Sequence, residues 1–123
     1  MVGTEYVSDT DAQWRIEKRN LSDGSLIFAM TTNPSSLVDT PERIVLASSS
    51  MFIVGRDRAA DNGQWRIERR STSTGALMYA ITSNPSGGGD EAVDIEVHEN
   101  QDVMYVVGEE SNAWRIEKRK LGD

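Results

Sequence analysis

The sequence predicts an all-β chain made of tandem four-stranded antiparallel units. A hexapeptide, Trp14-Arg15-Ile16-Glu17-Lys18-Arg19, returns as Trp65-Arg66-Ile67-Glu68-Arg69-Arg70 and again as Trp114-Arg115-Ile116-Glu117-Lys118-Arg119, with the tryptophans 51 and 49 residues apart. Its flanks return in the same order: Gly24-Ser25-Leu26 with Gly75-Ala76-Leu77, Asn33-Pro34-Ser35 with Asn84-Pro85-Ser86, and Met51-Phe52-Ile53-Val54-Gly55 with Met104-Tyr105-Val106-Val107-Gly108. No segment sustains a helical period; runs of five to eight residues are bounded by turn formers, the mark of short strands. A period of this length signals a stack of similar supersecondary units.

Taken in order, the chain opens on residues 2–6, which match the tail of the Val-Val-Gly strand. The first hexapeptide strand follows. Ser22-Asp23-Gly24 is short enough for a tight hairpin into a strand at 25–31. Asn33-Pro34-Ser35 then starts a crossover, because proline cannot donate to a ladder and ends the strand before it. The middle unit reads as strands at 42–47 and 51–55, a turn at Asp61-Asn62-Gly63, the second hexapeptide, a hairpin at Ser73-Thr74-Gly75 and a strand at 76–82. Asn84-Pro85-Ser86 and a flexible Gly87-Gly88-Gly89 lead to strands at 92–98 and 103–108 and to the third hexapeptide.

Alternation along a strand puts Trp14, Ile16 and Lys18 on one face and Arg15, Glu17 and Arg19 on the other. The first face is apolar and predicts burial. The second is a line of alternating charge, expected on a solvated surface, where each pair contributes less than about 1 kcal/mol. The strand at 25–31 sets bulky Leu26, Phe28 and Met30 against Ile27, Ala29 and Thr31, which predicts packing on both faces.

Composition narrows the function classes. With 13 Lys and Arg against 20 Asp and Glu the net charge is −7, which repels phosphate backbones and anionic lipid, so neither nucleic acid nor a membrane is an expected partner. There is no cysteine, which removes disulfides and thiolate metal sites. The chain shows neither a signal peptide at its start nor an apolar run near the roughly 18 residues that span a bilayer. The compartment stays open.

The Val-Val-Gly strand, the Trp-Arg-Ile-Glu-Lys-Arg strand, the Gly-x-Leu strand and the Asn-Pro-Ser crossover together resemble bacterial and archaeal β-propeller repeats of about 50 residues per blade. The resemblance covers essentially the whole chain as a single domain, and it implies blades of four antiparallel strands around a central axis. In blade order the chain holds a partial blade at about 1–35, a complete one at about 40–86 and a partial one at about 90–123, roughly two and a half in all. It begins inside a second strand and stops at Leu121-Gly122-Asp123, where a fourth is due. Such an open stack exposes edges and an apolar face. The expectation is therefore a ring completed by homo-oligomerisation, a dimer of five or six blades first; a piece of a longer repeat chain makes the same demand for closure.

Functional candidates are few. Trp14, Trp65 and Trp114 can serve as stacking platforms for sugars or as wedges between blades, and their fixed place at a strand start favours the wedge. Asp57 and its counterpart Glu110, with Asp11, Asp61, Asp39 and Asp90, recur near turns; oxygen-rich loops can bind Ca²⁺, but none has the closely spaced carboxylates that supply six to eight ligands, so turn capping is the expectation. His98 is the single histidine, beside Glu96, Glu99 and Asp102, and no Gly-x-Ser-x-Gly elbow accompanies it. No catalytic residue, metal site or cofactor is singled out. The expected function is a non-catalytic interaction module offering repeated loops to a protein or a carbohydrate, with a lectin-like glycan binder as the alternative and a hydrolase a distant third.

Overall fold

The structure, a computed structural model, describes residues 1–122. Its strands are β1 (Val2–Tyr6), β2 (Ala12–Arg19), β3 (Leu26–Thr32), β4 (Thr40–Ala47), β5 (Ser50–Ala60), β6 (Asn62–Ser71), β7 (Leu77–Ser83), β8 (Asp90–His98), β9 (Val103–Glu110) and β10 (Ala113–Lys120), with one 3₁₀ turn at Glu99–Gln101. They form three antiparallel sheets, β1-β2-β3, β4-β5-β6-β7 and β8-β9-β10, each a meander in chain order and none closed. The chain is all-β, and each hexapeptide lies in the strand next after the Val-Val-Gly strand or its remnant.

Local chemistry explains the recurrent turns. Gly24 and Gly75 sit at φ 74° and 77°, the left-handed region where glycine carries no Cβ penalty. Each donates its N–H to a carbonyl four residues back, Asn20 and Ser71, at 2.9 Å. The predicted three-residue turn at Asp61-Asn62-Gly63 is tighter than expected: Asp61 alone takes a positive φ of 66°, and Asn62 and Gly63 already belong to β6. Asn62 is held there because its amide donates to the carbonyls of Ser86 and Gly88 at 3.2 and 2.9 Å. Both crossovers are fixed by a buried carboxylate. Asp39 accepts from the N–H and hydroxyl of Ser35, and Asp90 from those of Ser86, at 2.6–3.1 Å.

The core lies between consecutive sheets. Trp14 and Ile16 pack on Met51 and Ile53 of the middle sheet. Phe52, Val54, Trp65 and Ile67 pack on Ala92, Ile95, Met104, Val106 and Leu121 of the third. Each indole hides on the order of 200 Å² of surface and so contributes several kcal/mol of transfer free energy.

Two expectations give way. The charged face of the middle hexapeptide is not solvated: Glu68 is fully buried and Arg70 nearly so, because β3 of the first sheet covers them. The strands β3 and β7 are not packed on both faces. Leu26, Ile27, Leu77 and Met78 are about half exposed, each on the last strand of its sheet.

Candidate functional site

The most elaborated feature is the junction between sheets, and it is made twice with corresponding residues. In the first, the fully buried Trp14 donates its indole N–H to the carbonyl of Arg56 at 3.2 Å, and Lys18 donates to the carbonyl of Thr72 at 3.0 Å. In the second, the fully buried Trp65 donates to the carbonyl of Glu109 at 2.9 Å, and Arg69 to that of Leu121 at 3.0 Å. Gly55 and Gly108 receive the rings. A Cβ at Gly55 would lie 3.0 Å from Trp14 Cζ2 and 2.2 Å from the Thr40 carbonyl oxygen; at Gly108 the corresponding distances are 2.9 Å from Trp65 Cζ2 and 2.0 Å from the Glu91 oxygen. The glycine of the Val-Val-Gly strand is thus where indole and backbone converge. Sequence reasoning assigned these glycines no role, although glycine recurring inside a strand is itself a sign of close approach.

Behind each glycine runs a charge ladder. Glu68 accepts from Arg66 Nε at 2.9 Å, Arg70 Nε at 2.7 Å and the hydroxyl of Thr32 on the preceding sheet at 3.2 Å. Glu117 accepts from Arg115 and Arg119 and from Ser83 of the middle sheet at 3.1 Å. Burial pushes the Glu117 carboxyl up, but the guanidinium hydrogen bonds outweigh it and hold the group low. In the first sheet Arg19 and then Arg15 donate to Glu17 and hold it at about 2.

The predicted site residues fall into two groups. Trp14 and Trp65 have no surface on which a sugar could stack, whereas Trp114 is 84% exposed. Asp57 and Glu110 lie in strands and belong to the ladders: Asp57, buried, accepts from Gln64 at 2.6 Å and Arg66 at 3.2 Å, and Glu110 from Arg115 at 3.0 Å. The structure therefore does not gather Trp14, Trp65, Trp114, Asp57 and Glu110 into one pocket. His98 stands at the end of β8, edge-on to Tyr105 at 5.7 Å and 3.9 Å from Glu96. A shallow, open hollow of about 450 Å³ is lined there by residues 97–101.

One acidic pair escaped the sequence. The ladder between β4 and β5 skips Glu42, and that between β8 and β9 skips Val93, so both bulge. Burial, then a hydrogen bond shared with Glu91, raises the Glu42 carboxyl, while Arg56 partly offsets this. Glu91 also accepts from the Thr40 hydroxyl at 3.3 Å. The described residues contain no group of three or more candidate ligands that could hold a metal ion, and no helix among them is long and apolar enough to cross a membrane. No protein-family model, curated protein or solved structure matches the chain.

Proposed function

We propose that the chain is a β-propeller fragment of about two and a half blades that acts as a non-catalytic interaction module, its ring completed by a second copy and its loops offered to a protein or a carbohydrate. The duplicated junction carries this proposal. A wedge, a receiving glycine and a cation-to-carbonyl contact recur from the first sheet to the second and from the second to the third. Sheets related by one repeated step are what a radial stack is made of. The repeated side chains are occupied in building that stack. The hexapeptide strands are kept while the crossovers change, with Ser36-Leu37-Val38 standing against Gly87-Gly88-Gly89. Variable loops on a constant frame are the ordinary layout of a binding surface.

A lectin-like role is favoured by one observation: Trp114 is 84% exposed and shares a hollow of about 80 Å³ with Glu109, Asn112 and Ala113. An indole beside carboxylate and amide groups is a stacking surface with polar partners for hydroxyls. Light scattering tests the ring, with an expected mass of twice 13.6 kDa; a single-chain mass at all accessible concentrations overturns it. A glycan array with wild type and Trp114→Ala tests the alternative. Sugar binding that disappears in the variant would establish the lectin.

A further inference from the structure

The two covered junctions specify a third, whose halves stand open at opposite ends of the stack. At one end Trp114 and Ile116 are 84% and 72% exposed, although their counterparts Trp14, Ile16, Trp65 and Ile67 are all at most 1% exposed. Lys118 occupies the place of Lys18 and Arg69, which donate across the covered junctions. At the other end Gly3 occupies the place of Gly55 and Gly108, and a Cβ built on it would meet nothing within 4 Å. Leu21, seven residues after Trp14 as Leu121 is after Trp114, is fully exposed, whereas Leu121 is 7% exposed in the second junction. A chain that repeats its own interface carries both complementary surfaces on itself.

The geometry points to a head-to-tail contact between two copies of this chain. The Trp114 indole of one copy lies on Gly3 of the other and donates to the Thr4 carbonyl, as Trp14 does to Arg56 and Trp65 to Glu109. Lys118 donates to the Leu21 carbonyl, as Lys18 does to Thr72 and Arg69 to Leu121. The contact rests on the propeller reading above and adds to it the residues that meet and the polarity with which they meet. The surface is heterologous, one face on a different face, and two such contacts related by a two-fold axis close a ring of two copies. The occupant is a second copy because each donor and each acceptor already meets its counterpart inside the chain. A sugar or an unrelated protein would explain the exposure of Trp114 but not the bare Leu21 at the opposite end, whose counterpart Leu121 is buried in the second junction.

Both residues to be changed lie outside the packed core, so the variants keep their fold, and far-UV circular dichroism checks this. Sedimentation velocity on wild type, Trp114→Ala and Gly3→Leu is expected to give a dimer for the first and folded monomers for the others. Loss of a central tryptophan weakens one contact by roughly thirtyfold, and each change strikes both contacts of the ring, so the dissociation constant rises by roughly a thousandfold. Mixing the two variants is decisive. Trp114→Ala keeps its glycine end and Gly3→Leu keeps its tryptophan end, so the mixture regains one intact contact and forms a heterodimer that neither variant forms alone. A wild-type dimer untouched by either change, or an unresponsive mixture, overturns this contact while leaving the ring standing. A wild-type monomer at every concentration overturns both, and Trp114-dependent glycan binding on that monomer assigns the exposed indole to the lectin role.

Discussion

Residues of identical local sequence do different work according to what stands in front of them. Trp65 is sealed between two sheets with its N–H satisfied, and Trp114 is 84% exposed. Trp65→Ala removes a large buried ring and is expected to cost about 3–5 kcal/mol in chemical denaturation. Trp114→Ala, measured on monomer in dilute solution, should stay within about 0.5 kcal/mol of wild type. The glycines show the same contrast in reverse. In Gly108→Ala the new methyl meets a backbone carbonyl at 2.0 Å and an indole carbon at 2.9 Å, and overpacking of this kind costs about 1–3 kcal/mol or more. Gly3→Ala meets no atom and should leave the urea midpoint of the dilute monomer near that of wild type.

At the scale of the element, the hexapeptide strand is a hinge between two chemistries, an apolar face toward the next sheet and a charge ladder toward the previous one. The ladder makes stability depend on pH in a definite direction. Arg19 and Arg15 hold Glu17 at about 2, below its ordinary 4.5. The folded chain then binds fewer protons than the unfolded one across that interval, so the stabilisation is complete above pH 4.5 and fades as pH falls toward 2. Glu42 has the opposite sign. Its raised carboxyl contributes stability below its ordinary value and loses it as pH rises through the shifted one. The urea midpoint should therefore fall on acidification from pH 4.5, and Glu17→Gln should flatten that limb; an unchanged slope would show that the pair is solvated. Much of this was legible in the sequence. Alternation, hairpin glycines and crossover prolines are local signals, and they marked every strand to within a few residues except β5, which runs five residues past its expected end at Gly55. The burial of Glu68, the half-exposure of Leu77 and Met78, and the pairing of Glu42 with Glu91 were not legible, because each depends on a neighbour some 36 to 51 residues away or on a strand's place at a sheet edge. Asp57 illustrates the point. Its position near a turn suggested a loop carboxylate, whereas its partners are Gln64 and Arg66 on the paired strand.

For the whole molecule, the arithmetic of open faces decides how stability is distributed. The middle sheet has a neighbour on each side, and the outer two each show one face to solvent. Burial per residue is correspondingly low in the third sheet, where Tyr105, Trp114 and Ile116 all reach solvent. A partner that covers those faces binds the folded state and not the unfolded one, so it stabilises by mass action. With a second copy as that partner, the thermal midpoint rises with protein concentration and levels off only at dilutions where the chain is monomeric. Opposing this, each copy carries a net charge of −7, and like charge weakens association most when counter-ions are scarce. Calorimetric scans over a hundredfold range of concentration should show the midpoint climbing, less steeply at low salt where the dimer is weaker. In Trp114→Ala the same scans should superimpose. Superimposed scans for the wild type would mean that the exposed faces are tolerated by an isolated chain, and the stack would then have to be stable with its ends bare.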